Sequence, residues 1–268
     1  LSYLYGSLFL SMKYALITGA SSGIGKQMAY LLARDKYGLI IVARRENLLN
    51  KIRDDIVQKY GVDVHVLSVD VSSGYKDIYD YCINRKIVVD ILINNAGFGY
   101  YGKCLEADEK VYELMIDLNN KALTGLCQLF GKDMVKRHEG HILNVASVAG
   151  FMPGPYMSVY YASKAFVLNY TLGLRQELKK EGVGVSALCP APTASEFWDV
   201  AGVKGSSVYS LFSRTSAQAA RTAMKCIRYN RPYMIDGLLY KLMIQLCHLL
   251  PVGFSAWIMG IVQSRIKG

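Results

Sequence analysis

The stretch Tyr14-Ala15-Leu16-Ile17-Thr18-Gly19-Ala20-Ser21-Ser22-Gly23-Ile24-Gly25 decides the architecture of this 268-residue chain. Five strand-like residues, Tyr14–Thr18, run straight into three spaced glycines. A helical pattern opens at Ile24 and continues to Asp35, with Met28, Leu31 and Leu32 at helical spacing. Gly19 permits a tight turn, Gly23 allows close backbone approach to a ligand, and Gly25 lets the helix pack on the strand. The start of that helix offers free N–H groups and a partial positive charge, which suit a pyrophosphate. Any β-to-α turn can use a glycine cluster. The placement directly after the first strand makes this one a dinucleotide signature.

The alternation continues outward from this turn. Leu39–Ala43 is the next strand, followed by a helix through Leu48, Ile52 and Ile56. Val64–Val69, Ile91–Asn94, His141–Ala146 and Val183–Leu188 read as further strands, nearly continuous in apolar residues, as strands covered on both faces are. Long helices are expected over Lys110–Arg137 and Ser158–Lys180. The pattern predicts an α/β fold, a single-domain, doubly wound parallel β-sheet with helices on both faces and ligand at its carboxyl edge. The α/β domain is expected over residues 12–236, between an N-terminal extension (1–11) and an apolar helical C-terminal extension (237–268). Residues 1–11 lack the leading charge and cleavage pattern of a signal peptide, and fall short of the ~20 residues that span a bilayer.

Composition narrows the function classes. With 52% hydrophobic and 19% charged residues, the chain buries a sizeable core and is not disordered. The net charge of +10 comes from 31 Lys and Arg spread along the chain, which reads as a solvated basic face with an anionic cofactor and no nucleic-acid partner. Six scattered cysteines without a C-x-x-C pair, and four histidines without ligand spacing, predict no metal site. Buried thiols in a reducing cytoplasm fit that usage. The second strand ends Val42-Ala43-Arg44-Arg45, where an NAD site usually carries an acidic residue. An arginine fork suits a 2′-phosphate, so NADP(H) is expected over NAD(H); the other reading is a solvated pair at a helix entry. Glu46 reads as a cap of the next helix.

Further elements follow in order: Asp70, then Asn94-Asn95-Ala96-Gly97, Asn119, Ser147, Tyr160-(x)3-Lys164 and Cys189-Pro190-Ala191-Pro192-Thr193. With the glycine turn, this ordered set resembles the short-chain dehydrogenase/reductase family over Met12 to about Phe197. It is most similar to the branch of hydroxysteroid dehydrogenases and long-chain 3-oxoacyl reductases. The resemblance implies a Rossmann fold and a nicotinamide cofactor held by Gly19, Ser21, Ser22, Gly23, Ile24, Gly25, Arg44, Arg45, Asp70, Val71, Asn95, Ala96, Gly97, Tyr160, Lys164, Pro190 and Thr193. It implies a catalytic set of Asn119, Ser147, Tyr160 and Lys164. Asp70 either meets the adenine or caps a turn, while Asn94, Ala96 and Gly97 shape the sheet edge. Alone, Tyr160 and Lys164 would be an ordinary helix-surface pair, Ser147 a strand-end cap and Asn119 a core hydrogen-bonding residue.

Physics supports the set. Tyr160 and Lys164, four apart, share a helix face. A free tyrosine has a pKa of about 10, and lowering it by roughly three units needs about 4 kcal/mol of preferential phenolate stabilisation. A neighbouring ammonium and an oxidised nicotinamide ring are suitable sources. Tyr160 would then exchange a proton with the substrate oxygen as hydride moves, and Ser147 would hydrogen-bond that oxygen. By resemblance, Lys164 also holds the ribose hydroxyls and Asn119 positions a water that links Lys164 to solvent. Two positions depart from the family: Ala191 stands where glycine is usual, at a cost of about 1 kcal/mol if φ is positive, and Ser195 where threonine is common.

The loops expected over the site carry Phe98, Tyr100, Tyr101, Phe151, Met152, Tyr156, Phe197, Trp198, Tyr209 and Phe212, without an arginine cluster for an acidic substrate. They point to a small-molecule substrate with a bulky hydrophobic body, a carbonyl or alcohol such as a steroid or fatty-acyl chain, or they simply pack the loops. In Leu238–Val262, Leu239, Leu242, Met243 and Leu246 fall at helical spacing, while Lys241, Gln245, His248 and Pro251 argue against a spanning helix. This segment reads as a lid, a subunit interface or a peripheral membrane contact. The expected function is NADP(H)-dependent interconversion of a ketone and a secondary alcohol on a hydroxysteroid-like substrate. The rivals are a 3-oxoacyl thioester reductase of lipid metabolism and an inactive NADP(H)-binding sensor or scaffold. The resemblance implies a homodimer or homotetramer paired through the long helices, in the cytoplasm with or without membrane association.

Overall fold

In the computed structural model the described residues are 12–194, 196–203 and 213–265. Ser195, Tyr209, Phe212 and the extension 1–11 lie outside them. Seven parallel strands form the central sheet: β1 (Tyr14–Thr18), β2 (Gly38–Ala43), β3 (Val64–Ser68), β4 (Val89–Asn94), β5 (Gly140–Val145), β6 (Val183–Cys189) and β9 (Tyr233–Ile235). Their order is β3-β2-β1-β4-β5-β6-β9, so the winding reverses between β1 and β4. That switch point is where ligands bind in open α/β sheets. A two-stranded ribbon, β7 (Thr193–Ala194) with β8 (Arg214–Thr215), lies beyond β6.

The sheet forms because its strands are apolar on both faces: all six residues of β2 and all seven of β6 are buried. Helices α1 (Gly23–Arg34), α2 (Glu46–Tyr60) and α8 (Ser216–Arg228) cover one face; Met28, Leu32, Leu49 and Ala223 meet Ile17, Ile41 and Ile93 there. On the other face α3 (Val71–Asn84), α5 (Leu123–Arg137) and α6 (Ser158–Leu178) set Ile78, Leu126 and Val167 against Leu16, Ile40 and Leu92. The strand and helix ends expected from sequence agree to within a residue or two.

One long segment differs from expectation. The helix expected over Lys110–Arg137 is interrupted: α4 (Glu109–Ile116) passes through a π-helical segment, Asp117–Ala122, before α5. The wider turn brings both Asn119 and Asn120 into the interior, where each bonds α6. The C-terminal extension is a pair of helices, α9 (Leu238–Leu249) and α10 (Val252–Ser264), broken at Pro251. A short helix, α7 (Phe197–Val200), follows β7. Of the cysteines, Cys82, Cys127, Cys189 and Cys226 are buried as expected, while Cys104 is exposed and Cys247 half-buried.

Candidate active site

A cavity of about 620 Å³ opens along the carboxyl edge of the sheet. The β1–α1 turn forms one end of it. Gly19 has φ +67° and Gly23 φ +57°, conformations that favour glycine. A side chain at Gly19 would press a Cβ to 2.8 Å from Asn95 Nδ2 and 2.9 Å from Ala96 Cα. At Gly25 it would meet Gly19 O at 2.5 Å, so these glycines are sites of close approach. Asn95 Nδ2 donates to the carbonyls of Thr18 and Gly19, and Thr18 Oγ1 accepts from the N–H groups of Asn95 and Ala96, which ties the turn to the end of β4. Ser22 precedes α1 without capping it; its hydroxyl accepts from Arg45 at 3.1 Å instead. The first-turn N–H groups thus have no side-chain cap, a cradle that fits a pyrophosphate.

Beside the turn, the two arginines diverge. Arg44 is well exposed and lies 3.8 Å from Asp70. Arg45 donates to Ser21 and Ser22 and pairs with Glu196 at 2.7 Å. Asp70 caps α3, accepting from Ser72 N–H at 3.0 Å and its hydroxyl at 2.6 Å, while still lining the cavity. Ser72 and then Arg44 hold its carboxyl below the usual carboxylate range. Both alternatives for Asp70 are therefore compatible with its position. Ser21, Ser22, Ile24, Val71, Asn95, Ala96, Gly97, Pro190 and Thr193 line the same cavity, which Gly25 supports from behind. Ala191 is not among the residues of positive φ, so the strain expected there is absent: alanine adopts this backbone as readily as glycine.

The other end of the cavity gathers Ser147, Tyr160 and Lys164, with Asn119 behind Gly97. Ser147 stands at the end of β5 before a single 3₁₀ turn; its Oγ accepts from Ala149 N–H at 3.1 Å. Tyr160 and Lys164, one turn apart on α6, are both buried. The Lys164 ammonium donates to Val145 O at 2.8 Å and lies 5.9 Å from the Tyr160 ring centre. Asn119 Nδ2 donates to Phe98 O and Ser163 Oγ, and its Oδ1 accepts from Phe98 N–H. Its side chain is thus spent on clamping the Gly97–Phe98 backbone, beside Lys164 but not bonded to it.

Burial is the largest influence on both titratable groups of the pair. Burial pushes the Tyr160 phenol up to about 12, opposed by the Ser147 hydroxyl that hydrogen-bonds it. Burial likewise draws the Lys164 ammonium down to about 8. The phenol is thus held in its protonated form, as a proton donor requires.

Of the aromatic residues expected to line the site, Phe98, Phe197 and Trp198 do. Tyr100, Tyr101, Met152 and Tyr156 pack just behind, in one cluster with Tyr160 and Tyr161. Phe151 turns away toward Tyr233. Sequence reasoning missed Leu114, Leu118, Met157, Tyr161, Glu196 and Val200, which also line the cavity. Leu114 is 52% exposed on the short helix α4.

The sequence profile of the family described as short chain dehydrogenase matches residues 13–202. An uncharacterized oxidoreductase of Staphylococcus epidermidis is 34% identical over 180 residues, 66% of this chain and 76% of that protein. The very-long-chain 3-oxoacyl-CoA reductase of Anas platyrhynchos is 32% identical over 189 residues, 68% of this chain but only 60% of that longer protein. A short-chain dehydrogenase from Sphingobium yanoikuyae, solved in complex with NADPH, superposes with a TM-score of 0.79 at 30% identity, covering 90% of this chain and 96% of that one.

Proposed function

This chain belongs to the short-chain dehydrogenase family and is an oxidoreductase; on that premise we propose that it interconverts a ketone and a secondary alcohol on a hydrophobic substrate, using NADP(H) and Tyr160 as general acid and base. One observation carries the reading: Ser147, Tyr160 and Lys164 converge on the same cavity that the glycine turn enters from its other end. When bound, the nicotinamide supplies or accepts the hydride at the carbinol carbon. Every other task falls to the chain. Tyr160, neutral at physiological pH, gives its proton to the carbonyl oxygen in reduction and recovers it in oxidation. The Ser147 hydroxyl donates to that same oxygen as negative charge grows on it. The Lys164 ammonium steadies the phenolate left behind and holds the cofactor ribose. Asn119 keeps the Gly97–Phe98 backbone in place beneath it. This complete set argues against an inactive sensor.

Arg44, Arg45 and Ser21 offer cationic and hydroxyl donors for a 2′-phosphate, which supports NADP(H) over NAD(H). The apolar wall of Phe98, Leu114, Leu118, Met157, Phe197 and Trp198 suits a bulky apolar ketone such as a steroid. A second reading, reduction of a 3-oxoacyl thioester, is favoured by the kinship with the very-long-chain 3-oxoacyl-CoA reductase. Pairing of subunits through α4–α5 and α6 belongs to the same reading of the family, as does a cytoplasmic location. The test is NADPH oxidation against steroid ketones, 3-oxoacyl thioesters and small ketones, each repeated with NADH. Faster turnover of one apolar class with NADPH is expected. Tight cofactor binding without turnover on any ketone would remove the claim.

A further inference from the structure

The C-terminal helix pair plays no part in the chemistry above, yet many of the exposed large apolar side chains among the described residues lie on it. Among the described side chains of α9 only Ile244 is buried, whereas Leu238, Leu242, Leu246 and Leu249 are 73, 50, 62 and 81% exposed. Across Pro251 the surface continues through Val252 (72%), Phe254 (47%) and Trp257 (60%), the two rings stacked at 5.6 Å. Isolated exposed leucines are ordinary; a contiguous run on two helices marks an interaction surface.

Its charge identifies the partner. Residues 237–268 contain no Asp or Glu, although the chain has 21. The charged side chains described here are Lys241 and Arg265, both exposed. A second copy would bring the same acid-free, basic segment against itself, a like-charge pairing. A layer of anionic lipid headgroups supplies the missing negative charge, and its acyl boundary accepts the leucines. Neither helix crosses a bilayer: no helix among the described residues is long and apolar enough to do so, and twelve residues rise only about 18 Å. Trp257 has the amphipathic ring that settles at headgroup depth.

From these observations we propose that α9 and α10 dock this protein on an anionic lipid surface, lying in its plane. The helix α10 that carries part of this face packs its opposite, buried side beside the substrate chamber. Tyr101 donates its hydroxyl hydrogen to Gln263 O at 2.5 Å, and Met259 packs against the cluster that holds Tyr160. An apolar substrate dissolved in the lipid is thereby delivered next to the cavity. That delivery rests on the proposed function; docking itself stands apart from the choice of cofactor and substrate.

The experiment is co-sedimentation of the full chain with phosphatidylcholine vesicles, with and without phosphatidylserine, at low and high salt, with tryptophan emission recorded alongside. Pelleting should rise several-fold with phosphatidylserine, fall back in high salt, and be accompanied by a blue shift. Leu246→Glu with Leu249→Glu should abolish pelleting while leaving turnover of a water-soluble ketone unchanged. Lys241→Gln with Arg265→Gln, which leaves the apolar face intact, should lose the phosphatidylserine dependence; this variant decides the matter if the first one misfolds. No pelleting with either vesicle overturns the proposal, as does binding indifferent to phosphatidylserine. A wild-type dimer that the Leu246/Leu249 variant converts to monomer assigns the face to a second copy and overturns it equally.

Discussion

Gln263 Nε2 donates to the Tyr161 hydroxyl at 2.7 Å, so the C-terminal helix is bonded to the residue next to Tyr160. Gln263 is fully buried, and its Oε1 has no partner among the described residues. Tyr161→Phe would leave a buried amide unpaired at a cost of about 1–3 kcal/mol. Thermal unfolding should fall by several degrees. KM for a bulky ketone should rise while the NADPH affinity stays put, because Tyr161 lines the substrate end of the cavity. An unchanged melting temperature would show that this bond does not brace the site.

The buried Lys164 ammonium sets an alkaline limit. Its folded pKa, drawn by burial from 10.5 to about 8, means that charge is lost as pH rises through about 8. Activity that needs the ammonium should therefore fall above that pH. The measure is kcat/KM for NADPH, which reports the free enzyme. Lys164→Arg should carry its remaining activity past pH 10 without that inflection, since the guanidinium stays charged. A flat wild-type profile to pH 10 contradicts the assignment.

His141 makes stability acid-sensitive. Burial, with the Arg175 charge as a lesser cause, lowers its folded pKa to about 4 from 6.5. The imidazole is neutral in the native state, its Nε2 3.0 Å from Ser186 Oγ. Below pH 6.5 the unfolded chain takes the proton first, so stability is full above that pH and falls toward pH 4. The loss reaches on the order of 3 kcal/mol. The difference in urea midpoint between wild type and His141→Gln should shrink steadily across that window.

Cofactor choice is expected to rest on the two arginines. Arg44→Ala and Arg45→Ala should each weaken NADPH by about tenfold, with little change for NADH. Because Glu196 occupies Arg45 at 2.7 Å, Glu196→Gln should tighten NADPH binding. Calorimetric titration of both cofactors separates these outcomes, and equal losses for NADH would refute a 2′-phosphate role.

Much of this was legible from residue order because the signals are local. Strands buried on both faces, such as Gly38–Ala43, announce themselves as apolar runs, and Gly19 and Gly23 occupy turns that require positive φ. Tyr160 and Lys164 are one helical turn apart, so their shared face follows from spacing. What escaped is long-range or depends on burial. The π-helical turn at Asn119 answers to bonds with Ser163, 44 residues away. The Arg45–Glu196 pair spans 151 residues and Gln263–Tyr161 spans 102. The upward push on Tyr160 comes from its depth, which no spacing of charges reveals.

The most direct test of the central claim compares Tyr160→Phe with wild type in NADPH oxidation on the best ketone, with NADPH affinity measured in parallel. The substitution removes one hydroxyl from a buried ring and leaves the glycine turn and arginines untouched. Turnover should fall by about a hundredfold or more while NADPH still binds. A Tyr160→Phe enzyme that reduces the ketone at nearly the wild-type rate would contradict Tyr160 as the proton donor.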